Sequence, residues 1–304
     1  MQLLTIGSDG TDPLRVLKLT AALGESPWWS VREQALYWVD TLAPSVSRFK
    51  PVISEHQSWR MPDRIGCISL CDDGSAIVAL RSGIALFDLA KGRMGTLHRP
   101  PAMSPDLHFN DGKCDRSGRF WVGAHFGGVP KQFVGSLFRF DPDFGCEERE
   151  SGIGISNGLG WSPDLCTLYY VDSLARCIYA YDFECATGRN FDRRIFATAQ
   201  SGCGVPDGLT VDSAGFVWCA HWDGWCVVRY ARDGTIDRVV RLPVQRPTSC
   251  MFGGPDLRTL FITSARHGIE PDALERQPLA GSIFALELTV PGLPEPTFAR
   301  SHRT

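Results

Sequence analysis

Short apolar runs with an aromatic residue or valine at the centre recur along this chain, at residues 35–40, 76–80, 119–123, 167–172, 216–220 and 259–263. With Trp38, Val78, Trp121, Tyr170, Trp218 and Phe261 as markers, the steps are 40, 43, 49, 48 and 43 residues. That is the spacing of a four-stranded propeller blade. An Asp/Gly-rich stretch precedes most markers, as at Asp72-Asp73-Gly74-Ser75 and Asp212-Ser213-Ala214-Gly215. Such stretches carry hairpin-turn chemistry, with Gly supplying positive φ and Asp bonding its own backbone. After each marker a further segment alternates apolar and polar residues, at 45–49, 83–88, 135–141, 177–182, 226–230 and 281–286. Half-buried antiparallel strands have that period of two. Six markers predict an all-β chain: a six-bladed β-propeller with four antiparallel strands per blade. Residues 14–19 form a strand ahead of the first marker, placed to pair with the last blade and close the ring. Only 271–276 reads as a turn of helix. Nothing resembles a linker, so residues 1–304 read as a single domain.

Composition narrows the partners. A net charge of −3 gives no reason to expect nucleic acid or an anionic membrane. No run of 18 apolar residues occurs, so a membrane-spanning helix is not expected. The start, Met1-Gln2-Leu3-Leu4-Thr5-Ile6, lacks the basic and apolar regions of a signal peptide. The 11 cysteines are odd in number and none is spaced Cys-x-x-Cys. They read as free thiols in a reducing cytoplasm rather than a disulfide framework or zinc knuckle. No Gly-rich phosphate loop and no Gly-x-Ser-x-Gly elbow is present.

Four stretches place a polar residue beside glycine about ten residues ahead of an aromatic run. They are Gly24-Glu25, Asn110-Asp111-Gly112, Asn157-Gly158 and Asp207-Gly208. Alone, each is a turn dipeptide. At blade phase, turns entering the innermost strands bring Glu25, Asn110, Asn157 and Asp207 to one mouth of a central channel. Two carboxylates and two amides suit a hard or borderline divalent cation: Ca²⁺, Mg²⁺, Mn²⁺, Zn²⁺ or Fe²⁺.

Together these motifs resemble the senescence marker protein (regucalcin), gluconolactonase and luciferin-regenerating enzyme family. The likeness spans about residues 15–300. It rests on Gly24-Glu25-Ser26-Pro27-x-Trp29, Phe109-Asn110-Asp111-Gly112-Lys113, Ile155-Ser156-Asn157-Gly158-Leu159, Pro206-Asp207-Gly208, Pro247-Thr248-Ser249-Cys250 and Ala265-Arg266-His267-Gly268. The resemblance implies one divalent cation held by Glu25, Asn157 and Asp207. It implies substrate contact by Asn110 and a general-base role for Asp207. The implied reaction is hydrolysis of an aldonolactone, of gluconolactone or pentonolactone type, to the aldonic acid. An ester hydrolase on the same fold, or a calcium-binding regulatory scaffold, is the alternative; oligomeric state is not encoded legibly.

The chain departs from the family pattern where relatives carry Arg and acidic residues, reading instead His108, and Ala124-His125 and Ala220-His221 at the ends of what are taken as inner strands. His108 and His125 become candidate partners for sugar hydroxyls, with His221 a third imidazole to place. Trp28, Trp29, Trp161, Trp222 and Trp225 lie near the same turns, as an apolar rim or, for Trp161, packing between blades. Arg60 and Arg64 flank the loop into the second blade.

Overall fold

The computed structural model describes residues 3–6, 14–100 and 103–300; residues 1–9, weighed above as a leader, lie partly outside them. Six antiparallel sheets form a ring, a six-bladed β-propeller. Each of the first five sheets uses four consecutive strands. The third blade, for example, is Leu107–Cys114, Phe120–Phe126, Gly135–Phe140 and Cys146–Ile153. The sixth sheet takes Pro247–Gly253, Thr259–Ser264 and Ile283–Glu287 from the end of the chain and Leu14–Leu17 and Leu3–Ile6 from its start. Leu14 pairs with Leu286 and Leu17 with Ile283, so the N-terminal strand closes the ring as its pattern suggests. The short helix falls at Pro271–Glu275.

All six markers lie on the second strand of their blades, not the innermost one. The inner strands are the preceding ones: Gly24–Ser30, Ile65–Leu70, Leu107–Cys114, Ser156–Trp161, Val205–Val211 and Pro247–Gly253. They touch in a closed circuit. The Ile68 amide donates to Ser26 Oγ at 3.1 Å. A Cβ on Gly66 would strike the Asn110 carbonyl, so glycine is what lets the second and third blades meet there. Asn110 Nδ2 donates to the Ser156 carbonyl at 2.7 Å. Ser173 Oγ donates to the Pro206 carbonyl at 2.6 Å. Thr248 Oγ1 reaches the Gly24 carbonyl at 2.5 Å, joining last blade to first.

Between the sheets the markers pack ring against ring. Trp29 stacks on Phe261 at 5.5 Å, Trp121 meets Trp161 edge-on at 6.1 Å, and Trp218 meets Phe252 at 6.2 Å. Trp28 and Trp29 are core residues, 4% and 3% exposed, rather than a rim over the channel. Trp161 packs between blades.

Two blades are pinned at their far end by a buried carboxylate. Asp115 Oδ2 accepts from Trp121 Nε1 at 2.8 Å and Arg119 Nε at 2.6 Å, while its Oδ1 takes the Ser117 and Arg119 amides. Asp212 repeats the pattern with Trp218 Nε1 at 3.0 Å, Arg229 Nη2 at 2.6 Å, and the Ala214 and Phe216 amides. Each oxygen is satisfied, which is the condition for burying a charge. The described cysteines are all free thiols. No described helix is long and apolar enough to cross a membrane.

Candidate functional site at the channel mouth

Every inner strand loses register with its neighbour at one common level. The breaks fall at Glu25/Trp28, Ile65/Cys67, Phe109/Gly112, Ser156/Leu159, Pro206/Leu209 and Pro247/Ser249. Asn110-Asp111, Asn157-Gly158 and Asp207-Gly208 are therefore bulges within strands, not turns ahead of them, while Gly24-Glu25 is paired strand directly ahead of a bulge at Ser26-Pro27. A bulge inserts one extra residue and re-aims its side chain. The bulges place Gly66, Asn110, Asn157, Asp207 and Thr248 at one level of the ring, and on the first blade Glu25 is the last paired residue before the bulge. Gly66 contributes no side chain. Thr248 is turned away into bonds with Gly24 and with Thr263 at 2.8 Å. Four polar side chains remain, those read from the sequence.

Asn110 Nδ2 also donates to Asn157 Oδ1 at 2.8 Å, and Asn157 Nδ2 donates to Ser173 Oγ at 2.8 Å. This fixes the Asn157 carbonyl oxygen toward the ring. Asp207 is 4% exposed, and its Oδ1 is buried with no hydrogen-bond partner. Glu25 keeps some surface exposed. Burial pushes the Glu25 carboxyl well above the usual range, and the Asp207 and Asp111 charges push it further. Burial, then Asp111, does the same to Asp207. Asp111, not singled out in the sequence, is 5% exposed with an unpartnered Oδ2. Burial raises it to about 6, against the pull of Lys113. Lys113 Nζ is itself occupied by the Leu209 carbonyl at 3.0 Å and Glu295 at 3.4 Å.

Two buried carboxyls and one half-buried carboxyl thus share one space with one ammonium that Glu295 also neutralises. Like charges in low dielectric repel unless a cation joins them. Among the described residues no three His, Cys, Asp or Glu side chains converge in ligand geometry; the donor set here is two carboxylates and an amide. The orphaned Asp207 oxygen, Glu25 and the Asn157 carbonyl fit a hard divalent cation with water or substrate in its remaining positions.

Second-strand carboxylates shape the approach. Asp40 accepts the Ala22, Leu23, Leu42 and Ala43 amides. Asp172 accepts those of Gly154, Ile155, Leu174 and Ala175. They hold the chain just ahead of Glu25 and Asn157. The shared Val-Asp ending at 39–40 and 171–172 was their only sequence signal.

The histidines divide. His108 lies two residues before Asn110 and pairs across strands with His125. Both are partly exposed, and both lie near the mouth, although His125 is on a second strand rather than an inner one. Burial lowers the His125 imidazole to about 4, with Lys131 adding to the shift. His221, also on a second strand, is buried and spent on structure: Nδ1 bonds the Cys203 carbonyl at 2.8 Å and Nε2 the Tyr230 hydroxyl at 2.9 Å.

The family profile described as SMP-30/Gluconolactonase/LRE-like region matches residues 23–266. The chain is 39% identical to a 6-deoxy-6-sulfogluconolactonase of Pseudomonas putida, over 93% of this chain and 97% of that one. It is 35% identical to a pentonolactonase of Haloferax volcanii, over 92% and 96%. A crystal structure of regucalcin from Agrobacterium tumefaciens, described as a calcium-binding protein, superimposes with a TM-score of 0.87 at 26% identity, over 92% and 95% of the two chains. By sequence, by blade architecture and by the motifs at its channel mouth, this chain belongs to the SMP-30/gluconolactonase/LRE-like family.

Proposed function

We propose that the chain hydrolyses a sugar lactone at the channel mouth, with one divalent cation held by Glu25, Asn157 and Asp207. The observation that carries this reading is the buried, unpartnered Asp207 oxygen inside a ring of other oxygen donors. The lactonase names of relatives that match more than nine-tenths of the chain support it.

A lactone is a cyclic ester. Its opening needs a polarised carbonyl, an activated water and a proton for the departing ring oxygen. A bound cation supplies Lewis acidity at the carbonyl and charge stabilisation as the oxyanion develops. Asp207 takes a proton from the attacking water as the new C–O bond forms. The ring C–O bond then breaks, and the same proton passes to the departing ring oxygen, which becomes the free hydroxyl. Base catalysis of this kind is worth on the order of a hundredfold or more. With its unpartnered Oδ1 toward the cation, Asp207 has its second carboxylate oxygen for the water. Asn110, tied to Asn157 and Ser156, orients the substrate beside it. His108 and His125 serve as hydroxyl partners at the rim.

The test is proton release from a panel of aldonolactones by chelator-stripped protein, resupplied with Ca²⁺, Mn²⁺, Mg²⁺, Zn²⁺ or Fe²⁺. Hydrolysis of one lactone, lost with chelator and restored by one cation, is expected. A folded protein that accelerates no lactone with any cation overturns the reading and leaves a binding role.

A further inference from the structure

We propose that the lactone taken here carries a fixed negative charge, a sulfonate, phosphate or carboxylate, on the carbon farthest from its ring carbonyl, held by Arg64 and Lys131. This rests on the lactonase reading above.

Two positions before each of Glu25, Gly66, Asn110, Asn157, Asp207 and Thr248 stands a residue nearer the mouth. Those six residues are Leu23, Arg64, His108, Ile155, Val205 and Arg246. They form the next level toward the mouth. Ile155 and Val205 make one apolar side, and Leu23 a third apolar position. Arg246 is spoken for: its Nε donates to Asp223 Oδ1 at 2.6 Å, and its guanidinium lies 4.6 Å over Trp222. Arg64 differs. It is exposed, and its guanidinium has no hydrogen bond or ion pair among the described residues. It precedes Ile65–Leu70, the inner strand whose Gly66 abuts Asn110, so it stands beside His108 on the next blade.

The third blade adds a second cation. Its chain leaves the second strand at Phe126 and passes Gly127, where a Cβ would run into the His108 ring. It then returns Lys131 Nζ to the Phe126 carbonyl at 2.9 Å and to within 3.4 Å of His125 Nδ1. No carboxylate is among the partners of Lys131. Arg99, by contrast, is used up on the Arg81, Ser104 and Leu107 carbonyls.

The charges that shift His108 and Lys131 are all cationic. Burial lowers His108 first, then Arg81, Arg64, Lys131 and Arg99 lower it further. After burial, Lys131 itself is lowered by Arg64. The two imidazoles stay neutral between unpaired cations. On a chain whose net charge is −3, this is a local concentration of positive charge rather than a consequence of composition. Repulsion between such groups is relieved by an anion, and a planar guanidinium fits a sulfonate, phosphate or carboxylate through two hydrogen bonds. The position suits a substituent. Two residues along a strand is about 7 Å, so His108 and its cationic neighbours sit roughly that far above the Asn110 level. A lactone with its carbonyl at the ring places its far carbon at the arc.

The experiment compares four hexonolactones on the cation-loaded enzyme: one neutral, and one each with a terminal sulfonate, phosphate or carboxylate. At least one anionic lactone is expected to exceed the neutral one in kcat/KM by on the order of 10-fold or more, since hydrogen bonds to charged groups contribute about 1.5–3 kcal/mol. The advantage should shrink as salt rises. Arg64→Gln and Lys131→Gln should each move the anionic-to-neutral ratio toward one by roughly tenfold. Titration calorimetry with the matching charged aldonate, the product, should show the same loss of affinity. A neutral lactone turned over as well as every charged one, or a charge preference that survives both substitutions, overturns this proposal and leaves the lactonase reading standing. Hydrolysis of none of the four overturns this proposal, and the lactonase reading is then decided by the wider aldonolactone panel.

Discussion

Asp207 and Asp212 are five residues apart on one stretch of the fifth blade, and both are buried. Their surroundings are opposite. Asp212 receives two backbone amides, an indole and a guanidinium. Asp207 leaves an oxygen with nothing and faces the charges of Glu25 and Asp111. Asp115 and Asp111 on the third blade repeat the contrast four residues apart. A carboxylate at the closed end of a blade locks a turn. A carboxylate at the mouth is kept unsatisfied by its own fold. Folding alone does not favour that arrangement, so it marks a place where something else binds.

The largest expected break in this pairing is in turnover. Asp207→Asn should lower kcat/KM by on the order of a hundredfold or more, because it removes the proton acceptor while keeping the shape. Its Tm should hold or rise, since one of three repelling carboxyls becomes neutral; a variant that keeps wild-type turnover refutes the assigned base. The converse substitution is Asp212→Ala. It should cost about 3–5 kcal/mol in urea unfolding, because Arg229 and the Trp218 indole lose their partner. Turnover per folded molecule should be retained. A loss below about 1 kcal/mol would show that Asp212 does not anchor its blade. The smallest effect sharpens the comparison. Divalent cation at about 100 times its Kd should raise stability by about 2.7 kcal/mol, read as an increase in Tm. Asp212→Ala should keep that increment and Asp207→Asn should lose most of it; an equal increment in both places the cation elsewhere.

The blades were legible because a propeller repeats its hydrophobic period, and Trp38, Trp121 and Trp218 mark the same strand each time. What the pattern misassigned was depth. A polar residue before glycine reads equally as a turn or a bulge, and only pairing register tells them apart, so Asp207 was placed ahead of a strand that in fact contains it. The same ambiguity hid Asp111, which looks like the turn partner of Asn110. His221 reads as a candidate until Cys203 and Tyr230 are beside it, and neither adjoins it in the chain. Arg64 and Lys131 lie in connections without period, so nothing in the sequence brings them together.

The strand Leu14–Leu17, seated against Ile283–Glu287, has a consequence for how the protein comes into being. Glu25 and Asp207 belong to the first and fifth blades and come to share one charge environment across the channel. On the ribosome the blades can form one after another, but the final sheet lacks its outer strand until the two ends of the chain meet. The repulsion among Glu25, Asp111 and Asp207 is therefore met late, after the blades that carry those residues have been made. Completion of the ring is thus the step that brings Glu25 and Asp207 into one charge environment.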